Sequence, residues 1–280
     1  MGKSSIFFSL NKVRVSFSIS LFLFFSFLSV SYSQDSLAVK MDMMQLDPLG
    51  RLLLFNSNTG DIACFSTDLK AFSTNQINVW SSAGQLDAND PLKASLFFPD
   101  VNSIYVFDEL LSAYTQTDFN YYNLFNIQAA CSASLGGFWL FSRDENKIIR
   151  IEQNGQRVFE SLDLRFVMGS YPTVGRISEL GNYLLLSTAD SGFYFFDFFG
   201  NQETSLAEWD TRSYSISSDL LYMIKEEILY GFEPSLGQLP KALAKVPCSN
   251  CPFVVGRNYF FYLSGDYLIR VPLSSLDNPD

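Results

Sequence analysis

The chain contains no histidine and only four cysteines among its 280 residues. The absence of histidine excludes Ser-His-Asp and Cys-His catalysis and histidine-ligated metal sites, so that carboxylates, lysine, tyrosine and cysteine remain as candidate acids and bases. Amphipathic helical patterns are also lacking after residue 33, whereas aromatic residues make up 16% of the chain. The composition therefore predicts strands and favours a protein that is not an enzyme.

The first 33 residues lack acidic side chains. Their basic residues are Lys3, Lys12 and Arg14. An apolar and serine-rich run follows from Val15 to Val30, and Ser31-Tyr32-Ser33 comes directly after it. A charged start, an apolar centre and small residues at the end are typical of a secretory signal peptide. We predict a signal peptide over residues 1–33, cleaved after Ser33, with an uncleaved anchor as the alternative.

The remaining chain is strongly acidic. Removing residues 1–33 takes away three of the 19 basic residues and none of the 29 acidic ones, so the net charge changes from −10 to −13. Such a chain is repelled by phosphate backbones and by anionic membrane surfaces. We expect no nucleic-acid partner, and no transmembrane segment once the signal is removed.

Six segments share one pattern: an apolar and aromatic run, a short polar turn and a second β-prone run, which together predict a β-hairpin. The clearest copy is Gly136–Gly155. The first long strands of the six copies begin at Gly50, Asn102, Gly137, Gly181, Asp219 and Arg257. The mean spacing of about 40 residues matches one four-stranded propeller blade. The first interval is the longest, and we expect an extra loop there, at Trp80–Pro91.

The middle strands carry apolar residues on both faces, as in Leu52–Phe55 and Phe193–Phe196. Sheets that are stacked face to face bury both sides, which removes the usual alternation. We therefore predict an all-β fold for residues 34–280, a single β-propeller of six four-stranded blades. The last copy stops after its third strand, near Leu273, so we expect the N-terminal strand at Leu37–Lys40 to complete the last blade and close the ring.

Two D-P-L-x motifs accompany the aromatic hairpins, Asp47-Pro48-Leu49-Gly50 and Asp90-Pro91-Leu92-Lys93. With the hairpins, they resemble the PQQ-type, NHL-like and outer-membrane-assembly (BamB-like) propeller repeats, and in particular exported bacterial propellers of unassigned function. The resemblance covers the whole of residues 34–280 and implies the same fold. The tryptophan-docking signature of quinoproteins and the WD dipeptide are missing as regular features, so no cofactor or partner is carried over.

Cys248 and Cys251 form a C-x-x-C motif that is flanked by prolines. A redox role requires a helix N-terminus to lower the thiol pKa, and the motif instead lies between strands of the last two blades. In an exported protein the pattern favours a structural disulfide across a loop. Free thiols, a metal site and a redox pair remain as alternatives. We expect Cys64 and Cys131 to lie on separate strands as buried thiols, too far apart to bridge.

Acidic and aromatic side chains supply the candidate binding residues. The acids around the first two inner strands are Asp42, Asp47, Asp87, Asp90 and Asp100. They would bind calcium or line the channel mouth, or else form Asx-turns and solvated loop tips. The aromatic candidates are Trp80, Tyr121, Tyr122 and Trp209. These rings would form a sugar- or peptide-binding face, or else pack between blades. The favoured binding face comprises Trp80, Asp87, Asp90, Tyr121 and Tyr122, with no catalytic or metal-ligating residue.

The leading functional hypothesis is a non-catalytic scaffold that is exported and is either periplasmic or associated with the outer membrane. It would present a loop face to another protein or complex of the cell envelope, and it would need no cofactor. The alternative is a propeller that binds a carbohydrate or small molecule through channel-facing Asp and Tyr side chains, and hydrolyses it if two carboxylates face one pocket. A propeller held by a central cation is a third hypothesis.

The signal-peptide prediction has a direct test. If the signal is cleaved after Ser33, the exported protein begins at Gln34. Intact mass and N-terminal sequencing of the protein recovered from the cell envelope measure this start, and a chain that retains residues 1–33 would contradict the prediction.

Overall fold

The computed structural model describes residues 35–78, 81–217, 219–234 and 239–279. The signal peptide predicted for residues 1–33 lies outside this part of the chain. Within the described ranges, an α-helix, α1, spans Leu164–Met168, and 3-10 turns span Phe119–Tyr122 and Leu273–Ser275. None of the helices in these ranges has the length and apolar character needed to cross a membrane.

The described residues form six four-stranded antiparallel sheets, which are the blades of a β-propeller. The first strand, β1, spans Asp35–Ala38 and belongs to the last blade. Blade 1 consists of β2 (Met43–Leu46), β3 (Leu52–Phe55), β4 (Asp61–Phe65) and β5 (Ala71–Gln76). Blade 2 consists of β6 (Gln85–Asp87), β7 (Ser95–Phe98), β8 (Ser103–Phe107) and β9 (Tyr114–Asp118). Blade 3 consists of β10 (Ile127–Ser132), β11 (Phe138–Ser142), β12 (Lys147–Ile151) and β13 (Arg157–Glu160).

Blades 4 and 5 repeat this arrangement, and blade 6 combines three C-terminal strands with β1. Blade 4 consists of β14 (Val174–Leu180), β15 (Tyr183–Thr188), β16 (Gly192–Phe196) and β17 (Gln202–Leu206). Blade 5 consists of β18 (Tyr214–Ser217), β19 (Leu220–Lys225), β20 (Ile228–Phe232) and β21 (Lys241–Lys245). The C-terminal strands of blade 6 are β22 (Phe253–Val255), β23 (Tyr259–Ser264) and β24 (Tyr267–Pro272).

Chain direction defines two loop faces. Each blade runs from its innermost to its outermost strand with antiparallel neighbours, so its first and third turns lie at one end of the propeller axis. We call that end the lower face. The second turn and the connection to the next blade lie at the opposite end, which we call the upper face.

Hydrophobic clusters fill the spaces between neighbouring blades, which explains why the middle strands are apolar on both sides. Phe97 of blade 2, for example, packs with Phe138 and Leu140 of blade 3. Phe195 of blade 4 packs against Phe232 of blade 5, with ring centroids 5.2 Å apart. The largest fully buried side chains of the described residues are all phenylalanines. The predicted six-bladed propeller is therefore confirmed, and aromatic residues build its interfaces.

The N-terminal strand closes the ring as predicted. β1 pairs antiparallel with β24, with Leu37 opposite Leu268, and the Val39 amide donates to the Asp266 carbonyl at 2.7 Å. Leu37 also packs against the cluster between blades 6 and 1. Closure thus joins the two ends of the described chain in one sheet and covers the outer edge of β24.

Two further predictions can be compared with the structure. The extra loop expected at Trp80–Pro91 is wrong, because residues 85–87 form β6, the innermost strand of blade 2. That strand has only three residues, which is too short to leave a recognisable pattern. The first interval is long because Asn102 precedes β8, the third strand of its blade, whereas the other five starting residues precede second strands.

Cys64 in β4 and Cys131 in β10 are separate, buried thiols, as expected.

Ring closure predicts different effects of proline at adjacent positions of β1. The Val39 amide points toward β24, so the Leu37 amide does too, whereas the Ser36 amide points outward. Leu37→Pro removes a ladder hydrogen bond and apolar packing, and we expect it to lower the free energy of unfolding by about 2–3 kcal/mol. Ser36→Pro is the matched control, with an expected loss below about 1 kcal/mol. Urea unfolding measures both, and equal losses would contradict this account of closure.

Candidate functional site

Three innermost strands end side by side at the lower face, and residues at or next to their ends form a cluster. β6 ends at Asp87, β10 ends just after Cys131, and β14 ends just after Glu179. The carboxylates of Asp87 and Glu179 interact electrostatically with each other and with the Cys131 thiol. We call these three residues the mouth cluster.

Asp87 is almost completely buried in the mouth cluster. Burial raises the pKa of its carboxyl group to about 6, and the neighbouring charge of Glu179 acts in the same direction. The backbone amides of Asn89, at 3.2 Å, and Ser132 donate to its carboxylate and oppose this rise. Asp87 therefore exchanges a proton at mildly acidic pH, while its oxygens already accept hydrogen bonds from the backbone.

Glu179 connects blade 4 to blade 3. Its carboxylate accepts a hydrogen bond from Trp139 Nε1 at 2.7 Å and from the Ser134 amide at 3.1 Å. The Trp139 ring also stacks on Phe198 of blade 4, with centroids 5.8 Å apart. Burial raises the pKa of the Cys131 thiol well above its usual value, and the charges of Asp87 and Glu179 add to this effect. A thiol without thiolate character is a poor nucleophile.

Gln85, two positions before Asp87 in β6, connects the innermost strands of blades 2 and 4. Its amide nitrogen donates to the Ile177 carbonyl at 2.6 Å, and the Ile177 amide donates back to its oxygen at 3.1 Å. Asn89 adds a bond to the Glu179 carbonyl at 3.1 Å. These contacts join blades 2 and 4 past the intervening blade 3. The buried Gln85 amide thus bridges two innermost strands that are not neighbours in the ring.

The acids grouped in the sequence divide between the two faces. Asp47, Asp87 and Asp90 lie on lower-face turns or strand ends, whereas Asp42 and Asp100 lie on upper-face turns. Asp42 accepts a bond from the Ser57 amide at 3.0 Å, and Asp100 accepts one from Ser81 Oγ at 3.2 Å. In the part of the chain that the structure describes, no three His, Cys, Asp or Glu side chains converge to hold a metal ion.

Arg51 explains the burial of Asp47. Its Nε donates to the Asp47 carboxylate at 2.6 Å, and its guanidinium also reaches Glu109 of blade 2 at 3.2 Å. Asp47 therefore holds the Arg51 guanidinium in place, and Arg51 links blades 1 and 2. Asp90 differs, because its carboxylate accepts a local hydrogen bond from the Leu92 amide, at 2.9 Å, in an Asx-turn.

A cleft of about 550 Å³ opens on the lower face between blades 2 and 3. Thr115 and Thr117 of β9 line one wall, and Phe138 lies on the other. The opening arises because these threonines are short and because blade 3 presents Gly136 and Gly137, which have no side chains, at its first turn. Both glycines have positive φ, at 87° and 75°, and a Cβ on Gly137 would lie 2.0 Å from the Ile151 carbonyl oxygen.

Tyr121 and Tyr122 border a second cavity, of about 270 Å³, that shares Thr117 with the cleft. Tyr121 is 85% exposed. Tyr122 instead packs on Gly155 and donates from its hydroxyl to the Gln153 carbonyl at 3.2 Å. The two cavities follow β9 from the lower toward the upper face.

The structure thus places the predicted binding residues in different environments. Asp90 lines the cleft, Tyr121 and Tyr122 border the adjoining cavity, and Asp87 is buried at the axis. Trp80 lies outside the described residues. Trp209 packs on Tyr230 with ring centroids 5.0 Å apart, as the interblade alternative predicts.

Apolar side chains project from successive turns of the lower face. Leu135 and Phe199, for example, are 80% and 81% exposed. We call this set the lower-face tips; its members are Leu49, Leu92, Leu110, Leu135, Phe199 and Leu239. They come from blades 1 to 5, so the apolar character is a property of the face rather than of one loop.

Cys248 and Cys251 form a disulfide, as predicted, with their Cα atoms 6.0 Å apart. The bond closes the connection between β21 and β22 on the upper face. The Cys251 carbonyl accepts a hydrogen bond from the Ser213 hydroxyl. The disulfide therefore supports a loop and is separated from the mouth cluster by the height of the propeller.

Sequence reasoning did not identify Gln85, Glu179 or the cleft. A partial signal exists for Glu179, because blades 1, 2 and 4 each have a carboxylate at the end of the innermost strand: Asp47, Asp87 and Glu179. Gln85 gives no such signal, since its hydrogen-bond partner is 92 positions away in the sequence.

No protein-family model matches the chain, and no curated protein matches it either. Solved structures are similar in fold. A streptogramin B lyase has a TM-score of 0.56 at 10% identity, covering 82% of this chain and 79% of the lyase. A catalytically inactive histidine-to-alanine variant of virginiamycin B lyase from Staphylococcus aureus, with quinupristin, has a TM-score of 0.53 at 14% identity, covering 87% and 89%.

The Pan2 WD40 domain of Neurospora crassa also has a TM-score of 0.53, at 12% identity, covering 81% of this chain and 73% of that domain. At such identities the likeness shows the propeller fold alone. The same fold is thus shared with lyases and with a WD40 domain.

The mouth cluster predicts a pH-dependent stability. The folded-state pKa of Asp87, about 6, lies above the unfolded value of about 3.9. The folded protein therefore binds the proton more tightly, and its stability falls as the pH rises from about 4 to about 6 and then levels off. The total change from this group is about 3 kcal/mol at most.

The Asp87→Asn variant keeps a side-chain hydrogen-bond acceptor but cannot titrate, so it should lack the pH-dependent part of the stability that comes from Asp87. Urea unfolding of both proteins between pH 4 and pH 8 measures it. We expect the variant to gain stability relative to the parent as the pH rises. Parallel pH profiles would show that Asp87 titrates normally.

Proposed function

We propose that the protein is a non-catalytic, exported β-propeller that binds another protein or protein complex of the cell envelope through its lower face. The lower-face tips carry this proposal. Single exposed apolar side chains are common on soluble proteins, but a set repeated on turns of five neighbouring blades is a feature of interaction surfaces. The tips are held on a rigid ring, so little ordering is needed when they bind.

Two features support export. The N-terminal pattern of basic residues, apolar run and small residues is that of a signal peptide. The disulfide between Cys248 and Cys251 is a second, independent feature, because disulfides persist in oxidising compartments such as the periplasm.

The chemistry of the site supports a binding role rather than catalysis. One of the similar lyases is catalytically inactive when a histidine is replaced by alanine, whereas this chain has no histidine. The Asp87 carboxylate accepts hydrogen bonds from two backbone amides, and the Glu179 carboxylate accepts hydrogen bonds from Trp139 Nε1 and the Ser134 amide. Both carboxylates at the mouth are thus engaged by the protein itself.

A paired substitution tests the proposal. Leu135→Ser with Phe199→Ser removes two of the lower-face tips, and Leu162→Ser with Phe166→Ser removes two comparably exposed residues from the upper face. All four side chains are exposed, so we expect each double variant to unfold within about 0.5 kcal/mol of the parent.

Tagged proteins expressed in the native cells are cross-linked and recovered from the envelope fraction. We expect the parent and the upper-face variant to capture the same specific partner. The lower-face variant should capture at least tenfold less of it, which corresponds to a loss of about 1.4 kcal/mol or more of binding free energy. The proposal fails if the parent captures no protein above an untagged control, or if the lower-face variant captures the same partner equally well.

A further inference from the structure

The outer edges of the blades are not equivalent. In blades 1, 3, 4 and 5 the outermost strand contains an extra residue that has no partner on the neighbouring strand. These bulged residues are Phe72, Val158, Glu203 and Leu243. A bulge twists an edge and hinders the addition of another strand. The repeat therefore protects most of its open edges in the same way.

β9, the outer strand of blade 2, lacks this protection. Its register with β8 runs without a break from Asp118 opposite Ser103 to Tyr114 opposite Phe107. Residues 114–117 read Tyr-Thr-Gln-Thr, which is uncharged and β-prone. β1 is also regular, but its Asp35 is held by Arg270, which places charges on that edge. β9 is thus a regular edge that is uncharged over residues 114–117 and follows a cleft.

The free backbone groups of β9 can be assigned from the flanking hydrogen bonds. The Phe119 amide donates inward to the Asn102 carbonyl at 3.0 Å, and the Phe107 amide donates to Ala94 on the side away from β9, at 2.8 Å. Amides alternate along an antiparallel strand, so those of Tyr114, Gln116 and Asp118 point outward. These positions would pair with an added strand.

The two cavities lie on the side of β9 that faces blade 3. Thr115 and Thr117 pair with Val106 and Ile104 and share their side of the sheet. Thr117 borders both cavities, which have volumes of about 550 and 270 Å³. A strand that paired with β9 would direct alternate side chains toward this space.

Carboxylates flank both ends of this edge. Asp90 and Asp108 line the cleft at the lower end, and Asp118 borders the cavity at the upper end. Hydrogen bonds from Ser112 lower the pKa of Asp108, which keeps it charged. Lys93 also lines the cleft, but acids remain in excess. The ligand chemistry that matches this pattern is an uncharged β-prone stretch with basic residues on both sides.

We propose that β9 is a β-augmentation site, at which an extended, basic-flanked segment of a partner protein adds to blade 2 as a fifth strand. This proposal rests on the proposed protein-binding function and specifies a second surface for it. A second copy of this chain is a less suitable occupant, because it is itself acidic, with a net charge of −10.

The probe is a synthetic peptide of alternating valine and threonine with as many positions as β9, bracketed by lysine and capped at both ends. Peptides with glutamate in place of lysine, or with a central proline, are the ligand controls. Binding to the purified protein is measured by isothermal titration at low and moderate salt. We expect the lysine peptide to bind with a Kd below about 1 mM, more weakly at higher salt, and the controls to bind at least tenfold more weakly.

Gln116→Pro is the central variant, because it removes one outward amide and leaves the β8–β9 ladder intact. We expect it to lower peptide affinity at least about tenfold. Ser205→Pro, at an outward amide of the bulged strand β17, is the matched control and should leave affinity unchanged. The variant that combines Asp90→Asn, Asp108→Asn and Asp118→Asn should lose about two- to fivefold in peptide affinity for each carboxylate removed, and its peptide binding should depend less on salt.

The proposal is overturned if the lysine peptide does not bind at millimolar concentration, if Gln116→Pro binds it normally, or if Ser205→Pro weakens binding equally. It is also overturned if the protein forms a concentration-dependent dimer that Gln116→Pro abolishes, since the occupant is then a second copy. The Leu135→Ser, Phe199→Ser variant should bind the peptide normally. Failure of peptide binding with intact partner capture would refute this inference alone and leave the lower-face proposal standing.

Discussion

The structure depends on the burial of both faces of each small sheet. A four-stranded sheet with apolar residues on two sides is not stable alone, and here each one packs against a neighbour on either side, with phenylalanine filling the interfaces. Such packing is complete only when the row of sheets closes on itself. The pairing of β1 with β24 supplies that closure, so the N-terminal strand supports contacts far from it in the sequence.

Closure also sets the chemistry of the axis. Innermost strands from separate blades end side by side, which places the buried Asp87 near the half-buried Glu179. The protein stabilises these groups with backbone amides, with Trp139 and with the Gln85 bridge between blades 2 and 4. The mouth cluster is therefore best understood as part of the framework that holds the lower face rigid.

A closed ring still leaves one open strand edge on every blade, and each edge is a possible site for unwanted pairing. Bulges on four outer strands reduce this hazard, so β9, which is regular, is uncharged over residues 114–117 and lies beside a cleft, is an exception among the outer strands. The lower-face tips and the β9 edge are neighbouring surfaces with different chemistry. The tips are apolar, whereas the β9 edge offers backbone groups between acidic ends.

The sequence alone determined the repeat, the strand class, the closing strand and the disulfide, because hairpin turns, two-sided apolar runs and the C-x-x-C spacing are local patterns. It located Asp87, Asp90, Tyr121 and Tyr122 but did not separate the buried carboxylate from the accessible ones. Only the tertiary structure decided that Asp42 and Asp100 lie on the face opposite Asp87, that Gln85 bridges two blades, and that Gly136 and Gly137 open a cleft next to β9. Those facts depend on which strands become neighbours, and that is settled by packing between residues that are as much as 93 positions apart in the Gln85 network.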